Sequence, residues 1–175
     1  MSRIEQGFLQ RVETLPAETR QLLLAAAAEP LGDVTSFWRA VERLEIGRQA
    51  AVAAESAGLI EFRGRIRFRH PLVRSAVYRS ASVQERQDVH RVLADVTDPE
   101  LDPDRRVWHR AQATDVPDEG VAADLERSSG RAQARGGLAA AAAFLEHATL
   151  LTPGTRAPCA ARARRGPGEA RCRRT

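Results

Sequence analysis

Ile60-Glu61-Phe62-Arg63-Gly64-Arg65-Ile66-Arg67-Phe68-Arg69-His70-Pro71 runs directly into Leu72-Val73-Arg74-Ser75-Ala76-Val77-Tyr78. Phe62, Ile66 and Phe68 alternate with Arg65, Arg67 and Arg69, the period of a half-buried strand, and Arg63-Gly64 stands where a tight turn reverses the chain. The stretch therefore predicts a short β-hairpin. His70-Pro71 closes it and opens a helix, because proline suits a first helical position where its missing N–H is not needed. This is the one strand signal in a chain that otherwise reads as helices.

Before the hairpin, Ile4, Phe8, Leu9 and Val12 give helical spacing over 3–14, and Leu15-Pro16 breaks it. A second helix begins at Ala17 and carries Leu22, Leu23, Leu24 and four alanines, apolar enough to be central. A third places Phe37, Trp38, Val41 and Leu44 on one face, with Arg39, Glu42, Arg43 and Glu45 outward. A fourth runs from Arg48 to Gly58, a glycine suited to the left-handed position that ends helices. Helices followed by a hairpin are the order of a winged-helix unit, in which the hairpin is the wing. In a DNA-reading version the helix before the wing presents polar and basic side chains to base edges. Here it is Arg48-Gln49-Ala50-Ala51-Val52-Ala53-Ala54-Glu55-Ser56, which reads as a protein-packing helix.

After the hairpin, Leu72, Val73, Ala76 and Val77 form one apolar stripe, and Val89, Val92, Leu93 and Val96 another within Val83–Val96. Asp102-Pro103 is placed to cap a helix carrying Val107, Trp108 and Ala111. Two further helices, 118–135 and 137–152, meet at Gly136-Gly137. The first holds Leu125, Ser129 and Ala132 and the second Ala141, Leu145 and Ala148, intervals of the kind a tetratricopeptide-type hairpin uses. The expected architecture is mainly α. A helix over 1–14 precedes a winged-helix unit over 15–80, a helical repeat region over 81–153 and a disordered basic tail over 154–175.

All 27 basic residues are arginine. Without lysine the chain carries no P-loop, Schiff-base lysine or Ser-Lys pair. Seven arginines lie beyond Gly154 against the single acid Glu169, leaving 20 arginines against 22 acids in residues 1–153. The net charge of +4 thus belongs to the tail, and the expected folded part is mildly acidic, which gives no general argument for nucleic acid. Cys159 and Cys172 also fall in the tail and make neither a zinc site nor a disulfide framework. A solvated basic tail and a shifted reading frame in a GC-rich gene are alternative origins of its composition. No run approaches the roughly 20 apolar residues of a membrane span, and a cytoplasmic protein is expected.

No enzyme constellation emerges. His70, His90, His109 and His147 are dispersed, without metal-ligand spacing, and Ser75 and Ser128-Ser129 lack a nucleophile-elbow context. His70 has two readings. It is a junction residue whose ring satisfies a nearby backbone group, or it points beside a helix start at a phosphate. Arg65, Arg67 and Arg69 are likewise either a solvated face guarding a strand edge or a phosphate-contacting wing.

Arg67-Phe68-Arg69-His70-Pro71-Leu72-Val73-Arg74-Ser75-Ala76-Val77-Tyr78 resembles a segment of the large LuxR-type regulators with an amino-terminal AAA/STAND ATPase module, the LAL or MalT-like group. So do Asp102-Pro103-Asp104-Arg105-Arg106-Val107-Trp108-His109 and Leu125-Glu126-Arg127-Ser128-Ser129-Gly130-Arg131-Ala132-Gln133-Ala134-Arg135-Gly136-Gly137. The similarity runs from about residue 8 to Pro153. It implies a winged-helix lid, with residues 1–14 as its linker helix, and the start of a tetratricopeptide-like sensor array. The ATPase core and the DNA-binding LuxR helix-turn-helix of such regulators have no counterpart in this sequence. Expected partners are therefore other protein segments, the ATPase core and further helical repeats. ATP or ADP belongs to the intact parent and no cofactor to this chain. The resemblance also implies that His70 touches the bound nucleotide's phosphate in the resting state. The competing expectation is a free-standing winged-helix DNA-binding protein using its arginine wing and basic tail.

Overall fold

The computed structural model describes residues 3–29 and 32–153, and the side chains from Gly7 onward within them. The expectations for Ile4 as a packing residue and for the tail at 154–175 lie outside these. Among the described residues, α1 (Arg3–Glu13), α2 (Ala17–Ala28), α3 (Val34–Arg43) and α4 (Gln49–Ser56) lead into β1 (Ile60–Arg63) and β2 (Arg65–Phe68). Then follow α5 (Pro71–Ser80), α6 (Val83–Val96), α7 (Pro103–Gln112), α8 (Glu119–Ala134) and α9 (Leu138–Leu151). The protein is mainly helical with one two-stranded antiparallel hairpin, as the sequence predicts.

The hairpin pairs Ile60 with Phe68, Glu61 with Arg67, Phe62 with Ile66 and Arg63 with Arg65. Gly64 turns it at φ +64°, which only a residue without Cβ adopts at little cost. β2 also has a neighbour that the sequence does not announce. The Ile66 N–H donates to the Gly32 carbonyl at 3.2 Å, so Gly32, just ahead of α3, lies against the outer side of β2. The approach is so close that a Cβ on Gly32 would stand 2.7 Å from the Ile66 oxygen.

α2 is the central element. From Leu22 to Ala28 every residue is buried, which a helix tolerates only where neighbours cover it all round, and its alanines let those neighbours come close. Its surroundings form one core with Phe37 and Val41 of α3, Ala50 and Ala54 of α4, Ile60 and Ile66 of the hairpin, Val73 and Val77 of α5, and Val89 and Leu93 of α6. The expected boundary at 80/81 falls between α5 and α6, whereas this first core takes in α6. A second core joins Val107 and Ala111 of α7, Val121, Ala122 and Leu125 of α8, and Ala148 and Leu151 of α9.

The ends of the helices follow local chemistry. Asp33 caps α3, accepting from the Thr35 and Ser36 N–H groups; Ser82 and Glu85 form a reciprocal capping box on α6; Asp102 caps α7 ahead of Pro103; and Asp118 caps α8. Gly58, at φ +66°, follows the end of α4. Leu145, expected at a packing position of α9, is instead 49% exposed. The buried side of α9 follows Ala141, Phe144, Ala148 and Leu151 at steps of 3, 4 and 3, and Leu145 falls just beyond that stripe.

Candidate functional site

His70 precedes α5 with an extended backbone, and its Nδ1 accepts from the Leu72 N–H at 3.2 Å. The ring thus serves as the helix cap, as the first of its two readings expects. Because Nδ1 is an acceptor, the neutral ring carries its proton on Nε2. The residue is exposed, and the Phe8 ring of α1 lies against it at 5.5 Å between centroids. His70 therefore presents one N–H donor beside a helix start.

Arg63, Arg65 and Arg67 are exposed on the hairpin, and Arg69 follows its second strand. Arg69 Nε is 3.2 Å from Glu61 Oε1. Arg74, one turn into α5, faces inward: its Nε and Nη2 donate to the carbonyls of Ala27 and Glu29 and so cover the carboxyl end of α2. The helix before the wing buries Ala50, Ala51 and Ala54. Glu55 on it accepts from the Phe62 N–H at 3.1 Å, tying α4 to β1. The outward positions of α4 are Gln49, Val52, Glu55 and Ser56, a neutral to acidic strip.

The feature missed in the sequence lies between the two cores. Histidines 19 residues apart come together, with His90 Nδ1 and His109 Nδ1 2.9 Å from each other and both rings buried. His90 Nε2 is 2.8 Å from the Tyr78 hydroxyl. His109 Nε2 is 3.8 Å from Glu29 Oε2. Glu29 Oε1 in turn lies 3.4 Å from Arg105 Nη1, while Arg105 Nη2 donates to Asp33 Oδ2 at 3.2 Å and to Ser36 Oγ at 3.1 Å. Arg105 Nε is 3.3 Å from Asp102 Oδ2. A polar chain thus runs from Tyr78 on α5, through α6 and α7, to Glu29 after α2 and Asp33 before α3, with an electrostatic step of 3.8 Å in place of a hydrogen bond between His109 and Glu29.

Arg105 and His109 stand one helical turn apart on α7, so one face of that helix turns to the polar chain while Val107 and Ala111 enter the second core. The i, i+4 spacing and the asparte cap before it are visible in sequence; the partner set is not, because Glu29 and Asp33 lie more than 70 residues away. Burial, the neighbouring His109 and the Arg86 charge together push His90 down to about 3, so its ring is neutral at ordinary pH. Burial alone would raise Asp33, but hydrogen bonds from Ser36, Thr35 and Arg105 hold its carboxyl below the usual range. Asp104 behaves alike: against burial, Arg131 and Arg135 of α8 hold it low and tie α8 to the start of α7.

A shallow cleft between the end of α2, α5 and α7 opens over the Tyr78 end of the chain, with Arg74, Ser75, Trp108 and Gln112 around it. Trp108 stands edge-on to the Phe144 and His147 rings of α9, and Gln112 bonds His147. Among the described residues no group of three histidine, cysteine or acidic side chains could hold a metal ion, and no helix is long and apolar enough to cross a membrane. No family model, curated protein or solved structure matches the chain.

Proposed function

We propose that the chain is the nucleotide-responsive lid and the adjoining protein-interaction segment of an ATP-dependent LuxR-type transcription regulator. It works through contacts with other protein segments and not as an enzyme. The observation that carries this reading is the capping geometry of His70: Nδ1 is committed to the start of α5, which leaves an exposed Nε2–H donor for a phosphate at the positive end of that helix, while the Leu72 and Val73 N–H groups are already taken by His70 Nδ1 and the His70 carbonyl. The neutral to acidic outward strip of α4 supports a protein partner over a DNA groove. The resemblance over about residues 8 to 153 supplies the family context. The test is release of fluorescent ADP from the ATPase core of such a regulator, with this chain supplied in trans. The chain slows release, and His70→Ala cancels the slowing.

A second reading has one observation in its favour. Arg63, Arg65 and Arg67 are exposed on the hairpin, a row of charge at a spacing that phosphates could meet. It makes the protein a winged-helix DNA binder. Fluorescence anisotropy of residues 1–153 on mixed duplex DNA, across a salt series, separates the two: tight binding that weakens steeply with salt favours the second reading.

A further inference from the structure

We propose that the His90–His109 pair is a one-proton switch, fed from Tyr78, that sets how firmly α7 is held on the corner between α2 and α3. The two Nδ1 atoms are 2.9 Å apart, so one of them must carry a proton and the other a lone pair. With both rings neutral, two directions of hydrogen bonding are conceivable. In one, Tyr78 donates to His90 Nε2, His90 Nδ1–H donates to His109 Nδ1, and the His109 proton sits on Nε2, facing the Glu29 carboxylate 3.8 Å away. In the other, His109 Nε2 turns a bare lone pair toward that carboxylate. Like partial charges in a buried site decide for the first.

One added proton reverses the chain without breaking it. A solvent proton reaches the Tyr78 oxygen, Tyr78 passes its own proton to His90 Nε2, and His90 passes its Nδ1 proton to His109 Nδ1. Tyr78 and His90 each give up one bond to hydrogen and gain another, while His109 keeps its Nε2–H and gains Nδ1–H, so the net charge arrives on His109. Tyr78 borders the cleft between α5 and α7, so the entry point faces solvent while the charge comes to rest at the buried end.

The surrounding charges favour that resting place. From α5, Tyr78, Arg74 and Arg79 face the region, and from α6 Arg86 lies over the Tyr78 ring at 5.5 Å, on the side from which the charge is driven away. At the other end stand Glu29 after α2, Asp33 before α3, and Asp102 and Arg105 of α7. Arg74 also reaches this end, on the Ala27 and Glu29 carbonyls, so three carboxylates stand against two guanidiniums, and the remaining negative charge accepts a further positive charge beside Glu29. From α9, His147 bonds Gln112 and stands edge-on to the Trp108 ring. A second proton on the pair has the opposite effect, because both Nδ1 atoms would then be donors 2.9 Å apart. The contact between α6 and α7 must part. One proton tightens the hold on α7 and two release it.

Long-range nitrogen–carbon NMR correlations of the histidine rings, on the full chain from about pH 7.5 to about pH 5, read every state directly. At the upper end His90 is expected as the Nδ1–H form and His109 as the Nε2–H form. On acidification His109 becomes doubly protonated while His90 stays neutral and changes to the Nε2–H form, and the amides of α7 exchange more slowly relative to those of α5. Tyr78→Phe removes the acceptor for His90 Nε2–H, so proton uptake moves to lower pH by about one unit. The proposal is overturned if the neutral forms are reversed, if His90 is the first to become doubly protonated, if His90 keeps its form while His109 titrates, or if Tyr78→Phe leaves the uptake unchanged.

Discussion

Replacing His90 by asparagine changes how stability responds to acid, and the size of the change follows from its surroundings. His90 is 2% exposed and is held neutral down to about pH 3, whereas in the unfolded chain it titrates at the ordinary value of 6.5. The unfolded state therefore binds a proton that the native ring refuses. Stability from this group is complete above pH 6.5 and is lost as pH falls from 6.5 toward 3, with no further loss below that. At about 1.36 kcal/mol per pH unit, the whole window is worth roughly 5 kcal/mol, and the step from about pH 7 to about pH 5 roughly 2 kcal/mol. That step lies above the range in which Asp33 and Asp104, both held low, take up protons. Asparagine keeps an amide near the Nδ1 position and so can still meet His109, but it does not titrate. Urea unfolding of wild type and His90→Asn at the two pH values is the assay. Wild type should lose about 2 kcal/mol more than the variant on going to the lower pH, whatever the variant's absolute stability. Equal losses, within about 0.5 kcal/mol, would refute the claim that the buried ring stays neutral.

Other outcomes follow from the same geometry. Arg105→Met should cost about 3–5 kcal/mol, because it leaves Glu29 and Asp33 facing each other without their shared cation; adding Glu29→Gln and Asp33→Asn should recover part of that loss, as thermal or urea unfolding would show. Gly32→Ala should destabilise by clearly more than the roughly 1 kcal/mol expected of Gly64→Ala. Both glycines have φ near +65°, but only at Gly32 does a Cβ strike backbone, 2.7 Å from the Ile66 oxygen, while nothing lies within 4 Å at Gly64. Leu125→Ala, at a fully buried position of the second core, should cost about 2–5 kcal/mol and raise amide exchange in α7, α8 and α9 before it does so in α2.

Local signals in the sequence were enough for most of the fold. The alternation of Phe62, Ile66 and Phe68 with arginines gives the hairpin, Asp102-Pro103 gives the start of α7, and Val83–Val96 bounds α6. These depend on neighbours a few residues away, where period, capping and proline geometry act. Two things were not legible. Gly32 reads as a loop glycine, yet it runs against β2, a contact set by how α2 delivers the chain. His90 and His109 read as dispersed, and no local rule joins them; they meet because α6 and α7 pack side by side and α2 ends beneath them. Leu145 went astray for a smaller reason, a position about 80° around the helix from the centre of the buried stripe of α9 and about 40° beyond its edge at Ala141. At His70 the sequence offered two readings, and the structure shows the geometry of the first: Nδ1 is occupied by the Leu72 N–H.

Whether this chain acts as a nucleotide-responsive lid is decided by the release of fluorescent ADP from the isolated ATPase core of a LuxR-type regulator in its presence. The account predicts slowed release by wild type and release at the uncomplexed rate with His70→Ala, while urea unfolding shows that the variant has lost no more than the value of one helix cap, about 1 kcal/mol. Release unaffected by the wild-type chain, together with salt-sensitive binding of residues 1–153 to duplex DNA, would contradict it.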